Sequence, residues 1–203
     1  MRKLIGWIAV LTLLLCAACA EAPARQEQAF AAYAAVLLEG AEYIPVDEEV
    51  RALDSCTPVR FAVLDMEGDG MIEVVLEVTE PEGFIILTYF TDGKVYAGEV
   101  PYRGLMSLKD DGTCTISSGA MDSGVAKTCF VVFEKTGKPE AIGRYLLAES
   151  YTAPDGSVHY AMNGRSETTD EAGYRDFLAM QDAKLDALWY EYTPENVRLL
   201  LGQ

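Results

Sequence analysis

Phe84–Val100 reads FIILTYF-TDG-KVYAGEV. Two runs rich in β-branched and aromatic residues flank Asp92-Gly93, a pair that supplies the positive φ angles a tight hairpin turn needs. The same punctuation recurs at Asp111-Gly112, Thr136-Gly137, Asp155-Gly156 and Asn163-Gly164. From Pro58 to about Thr168 the chain therefore reads as consecutive hairpins, an antiparallel meander of roughly eight to ten strands. The spacing does not decide whether the meander stays open or closes into a barrel.

On both sides of this stretch the apolar period lengthens to that of a helix. Residues 26–39 carry Phe30, Tyr33, Ala34, Leu37 and Leu38 on one face, with Gly40 as a stop. Near the carboxyl end Tyr174, Phe177, Leu178, Leu185, Leu188 and Trp189 fall on a second helical face, with the acids of TTDE at its start. Thr193-Pro194-Glu195 predicts a last short helix, with Thr as N-cap and Pro in the first helical position. The expected fold is α+β: an antiparallel meander with an N-terminal helix and two C-terminal helices, residues 28–203 forming one domain.

The chain has 32 Asp and Glu against 16 Lys and Arg, a formal charge of −16. That balance repels nucleic-acid phosphates, so no nucleic-acid partner is expected. It suits a soluble body that attracts cations or basic partners. A cationic protein is the partner this charge admits, and cell-wall material is the partner that an extracytoplasmic place, argued below, would add. Half of the residues are apolar and 10% aromatic, enough for a packed core rather than a disordered chain.

Residues 1–20, MRKLIGWIAVLTLLLCAACA, open with Arg2 and Lys3 and continue in an apolar run from Leu4 to Leu15. The run is short for a bilayer span and ends in small residues, which is the layout of an export signal. Ala17-Ala18-Cys19-Ala20 resembles the lipobox of bacterial lipoproteins. The resemblance implies cleavage after residue 18, acylation (a diacylglycerol, palmitate-type anchor) on Cys19, and a place on the extracytoplasmic face of a cell membrane. Cys16 fits less well, because Leu15 precedes it where a small residue is needed. Residues 19–27 then form a tether between membrane and domain.

One segment carries ligand chemistry. Residues 65–73 read Asp-Met-Glu-Gly-Asp-Gly-Met-Ile-Glu, with carboxylates at loop positions 1, 3, 5 and 9 and Gly70 at position 6. Asp65, Glu67, Asp69, the Met71 carbonyl and Glu73 are candidate ligands for Ca2+, which takes several hard oxygens at once. Leu76 at position 12 and the strand-like flanks exclude an EF-hand. With those flanks, FAVLDMEGDGMIEVVLEV resembles the strand–DxDGDGxxEL–strand element of FG-GAP/VCBS-type repeats, which also occurs singly in small Gram-positive surface lipoproteins. The resemblance implies a calcium-type loop in an extracytoplasmic domain and no known catalytic activity. The alternative for the loop is a plain acidic turn with solvated carboxylates.

Besides Cys19, the exported part holds Cys56, Cys114 and Cys129. Thiols outside the cytoplasm tend to pair. Cys114 and Cys129 lie in neighbouring strand-like segments, and a bridge between them would contribute about 3 kcal/mol in the chain-entropy model. A buried thiol is the alternative for each. The expected function is a lipid-anchored binding or scaffolding domain with a structural calcium-type loop. The competing reading is a metal- or carboxylate-dependent hydrolase of wall glycan or peptide using Asp65, Asp69 and Glu73. His159, the single histidine, is expected on an exposed strand. Lys135-Thr136-Gly137 reads as a turn, because the S-x-x-K that accompanies KTG in penicillin-recognising enzymes is absent. Residues 117–124 form a small polar loop.

Overall fold

The computed structural model describes residues 24–46, 53, 56–80, 82–117, 122–133 and 137–202. The export signal, Cys19, Lys135 and Thr136 of the KTG turn and residues 118–121 of the 117–124 loop lie outside them. Helix α1 covers 24–39 and so takes in residues 24–27, which the sequence reading gives to the tether. Eleven strands follow: β1 (Ile44–Pro45), β2 (Pro58–Leu64), β3 (Glu73–Thr79), β4 (Glu82–Tyr89), β5 (Val95–Pro101), β6 (Thr113–Ser117), β7 (Ser123–Phe133), β8 (Lys138–Thr152), β9 (Val158–Met162), β10 (Glu167–Thr169) and β11 (Trp189–Glu191). Helix α2 (Glu171–Asp182) precedes β11, and α3 (Pro194–Leu201) closes the chain. No helix among the described residues is long and apolar enough to cross a membrane.

The α+β class and the meander stand, and the meander remains open rather than closing into a barrel. It divides into two sheets, ordered β1-β5-β4-β3-β2-β11 and β10-β9-β8-β7-β6. All pairs are antiparallel except β1 with β5. The first sheet is the middle layer. Val74, Leu76, Ile85 and Leu87 pack on one side against Tyr33, Leu37, Val197 and Leu201 of the helices. Their alternate neighbours Val75, Phe84 and Ile86 pack on the other side with Ala126 and Phe130 of the second sheet. This explains why β4 is buried from Gly83 to Tyr89 without alternation. A strand covered on both faces needs an unbroken apolar run, and each large side chain so buried contributes roughly 1.5–3 kcal/mol.

The chain after α2 departs from expectation. The helix stops at Asp182, and Leu185 and Leu188 are exposed rather than lining a helical face. The cause is tertiary. Lys109, only 4% exposed, sends its ammonium to the carbonyls of Asp182 and Lys184 and to the Asp186 carboxylate. Asp110 N donates to Leu185 O and Ala187 N to Leu108 O, so the chain leaves the helix to pair with 108–110. Trp189 then enters β11, opposite Ala62 of β2. At α3 the expected cap is present: the Thr193 hydroxyl accepts from Asn196 N at 3.2 Å, with Pro194 next in the helix.

Candidate functional site

The Asp65–Glu73 loop joins β2 to β3, and its acids are spent on backbone N–H groups. Asp65 accepts from Gly68 N and Asp69 N through Oδ1 (2.6 and 3.1 Å) and from Gly70 N through Oδ2 (3.0 Å). Asp69 Oδ1 accepts from Met71 N at 2.8 Å. Gly70 has a φ of +87°, the left-handed turn that glycine adopts without strain. Glu67 reaches across to the second sheet, where Phe130 N donates to it at 2.8 Å. Glu73 turns inward, accepting from Met66 N at 2.8 Å and facing the Thr88 hydroxyl at 3.4 Å. Tyr33 of α1 donates to Ile72 O at 2.9 Å, so the loop is held from all three layers. Met66 itself is 1% exposed and belongs to the core between the sheets.

Burial pushes the Glu73 carboxyl up to about 8; the Met66 N–H opposes this, and the charges of Glu67, Asp69 and Asp65 add to it. Glu67 is raised in the same way, first by burial, with Asp69 and Asp65 contributing and Lys127 opposing. Lys127 Nζ lies 3.0 Å from where a Cβ on Gly68 would stand. Tested against calcium, the donor set is right in kind, all hard oxygens close enough to repel one another. Its arrangement is not that of a finished cage. Among the described residues no three carboxylates, cysteines or histidines are gathered as metal ligands. Glu67 and Glu73 each give one oxygen to a backbone N–H. Glu73, at 2% exposure, also lies beyond the reach of a substrate, which deprives the Asp65–Asp69–Glu73 hydrolase reading of its third acid.

The other candidates separate. Cys114 and Cys129 are both thiols, not a disulfide. Register is the reason: Cys114 faces Ala126 across the ladder, while Cys129 lies three residues further along β7 opposite Gly143, on the other face of the strand. Cys114 is sealed between the sheets, and burial pushes its thiol up to about 11. His159 is exposed on β9 as expected, with Nε2 2.8 Å from the Ser157 hydroxyl, which in turn lies 2.6 Å from Asp155 Oδ1. Asp155 here bonds the serine rather than the imidazole, at a hairpin tip, so it does not orient a base as a catalytic triad requires.

One region escapes sequence reasoning. Trp189, Phe84, Tyr102 and Arg60 line a cavity of about 310 Å3 together with Leu105–Leu108 and Asp186. Four separate segments supply it, and helical periodicity over 174–189 conceals Trp189.

Compared with known protein families, curated proteins and solved structures, the chain matches none.

Proposed function

We propose that this protein is a lipid-anchored binding domain on the extracytoplasmic face of a cell membrane, with the Asp65–Glu73 loop as the joint between its two sheets. The anchor reading is supported by the Arg-Lys start, the apolar run and Cys19 in residues 1–20. The observation that carries the binding reading is the aromatic cavity at Trp189, whose walls are tied together by Ala187 N to Leu108 O and Asp110 N to Leu185 O. A cavity of about this size, its lining shared evenly between polar and apolar groups and its walls fixed by backbone bonds, suits recognition of a small group without reorganisation. Calcium on the loop, through Asp65, Glu67, Asp69, Met71 O and Glu73, belongs to the same proposal as a stabiliser. It would let Glu67 or Glu73 exchange an N–H for the ion, at the 10⁻⁴–10⁻³ M affinities sufficient outside cells.

Cells making the full chain and fed labelled palmitate test the anchor. The wild type is expected to carry label and sediment with membranes, and Cys19→Ala to lose both. Equal labelling of Cys19→Ala overturns the anchor.

A further inference from the structure

The cavity described above has a floor of rings in series. Tyr102 stacks on Phe84 with centroids 5.9 Å apart and planes 12° from parallel, and Phe84 meets Trp189 at 6.0 Å and 42°. The Arg60 guanidinium lies 4.6 Å over the Trp189 ring. Phe84 is buried and Arg60 covers one face of the half-buried Trp189, so Tyr102, 43% exposed, is the ring with an open face to offer. The walls are fixed on both sides. Met106 and Thr115 exchange backbone bonds at 2.9 and 2.7 Å, and Ala187 N reaches Leu108 O at 2.9 Å. Ser107, at the lip, holds a φ of +48°, a left-handed conformation unusual for a residue other than glycine. Strain of that kind, about 1–3 kcal/mol, persists where the surrounding bonds impose it.

The charges at the rim cancel locally. Arg60 pairs with Glu77, and Asp186 pairs with Lys109. A ligand therefore meets donors and acceptors without a net field, while the −16 charge of the chain disfavours an anionic polymer. What fits the open Tyr102 face, with the guanidinium over Trp189, a carboxylate and a hydroxyl around it, is a ring with apolar C–H faces and hydroxyls around its edge. We propose that this groove binds one pyranose ring of a neutral saccharide, with Tyr102 carrying its C–H face, Trp189 bordering it beneath the Arg60 guanidinium, and Arg60, Ser107 and Asp186 meeting its hydroxyls. The proposal rests on the binding-domain reading and gives it a ligand class. An aromatic face is the stacking surface and the polar groups fix orientation, as in small-ligand sites generally.

The test uses the full chain and tryptophan fluorescence, with Trp189 as reporter and Trp7 as its only companion. Titration with a β-1,4-linked N-acetylglucosamine tetramer or with cellotetraose is expected to give a saturable change in emission. Tyr102→Ala weakens that affinity about tenfold, Tyr102→Phe keeps it, and Trp189→Phe abolishes the signal. Because Tyr102 is well exposed, Tyr102→Ala is expected to melt as the wild type does; if it does not, Arg60→Met replaces it as the weakened variant. No saturable change with either saccharide up to about 10 mM overturns the proposal. So does Tyr102→Ala, or its substitute, binding as tightly as wild type. Palmitate labelling of Tyr102→Ala stays at the wild-type level, so failure at the groove is distinguishable from failure of the anchor.

Discussion

Two acid-rich turns touch in this molecule, and their carboxylates meet opposite fates. The Asp65–Glu73 loop and the Asp110–Thr113 turn are both closed by a left-handed glycine, and a Cβ on Gly112 would stand 2.2 Å from Met66 O. In the first, none of the four acids makes an ion pair among the described residues, and the deepest is pushed toward its neutral form. In the second, burial pulls the Asp111 carboxyl upward, but Lys184 at 2.7 Å and the hydroxyl and N–H of Thr113 outweigh it and bring it down to about 2. Composition is nearly the same in both. Depth and the presence of a cation decide the difference: Glu73 is a charge carried inward, Asp111 a charge held at the edge beside an ammonium.

The contact between the turns is the comparison's most fragile point. Gly112→Ala places a methyl against Met66 O, C and Cα at 2.2–2.7 Å, in a backbone conformation of φ +78° that alanine adopts only under strain. Steric displacement and backbone strain together are expected to cost about 3–5 kcal/mol. Urea unfolding measures it. A variant as stable as wild type would mean that the turns do not pack as described.

The inward acid carries the next largest effect. Glu73 has a folded pKa of about 8 against roughly 4.3 in an unfolded chain. Between these values the folded state binds the extra proton, so stability is full below about pH 4 and falls as the pH rises toward 8. A loss on the order of 2–4 kcal/mol between pH 5 and 8 is expected for a site this buried. Glu73→Gln, a neutral mimic of the protonated acid, removes that slope in thermal melts. If calcium occupies the loop, millimolar calcium restores the melting temperature at pH 8 more than at pH 5, and Asp69→Ala cancels the restoration. An identical slope in Glu73→Gln places its cause elsewhere.

Depth also decides what the sequence could and could not reveal. Strands and turns were legible because Asp-Gly and Asn-Gly pairs act through local φ preferences, which need no tertiary partner. The α3 start was legible for the same reason, since Thr193 caps a bond three residues away. The loop's position was legible from its carboxylate spacing, but not the direction each acid takes. Glu73 shares its strand face with Val75, which packs toward the second sheet, so its burial follows from layering that no local pattern encodes. The division of the meander into two sheets, the end of α2 at Lys109 and the separation of Cys114 from Cys129 are likewise set by register between distant segments. The aromatic groove, assembled from four of them, is the extreme case.

The smallest effect is expected at the edge acid, and its sign is the reverse of Glu73's. The Asp111 carboxyl is depressed, so its contribution is present above its unfolded value of about 3.9 and lost as the pH falls toward 2. Its side chain is 45% exposed, so solvent screens the Lys184 pair and Asp111→Asn is expected to cost less than about 1 kcal/mol at neutral pH. As the pH falls below about 2 the variant and wild type converge, because the charge is then lost from both. High salt narrows the gap at neutral pH and leaves the Glu73 slope nearly intact, since ions screen an exposed pair and not a desolvation penalty. Measured side by side from pH 2 to 8, the two turns give stability that rises and then falls, with its maximum near pH 4–5. A curve rising monotonically to neutral pH would show that Glu73 is ionised and solvated in the folded protein, and the contrast between inward and edge acids would collapse.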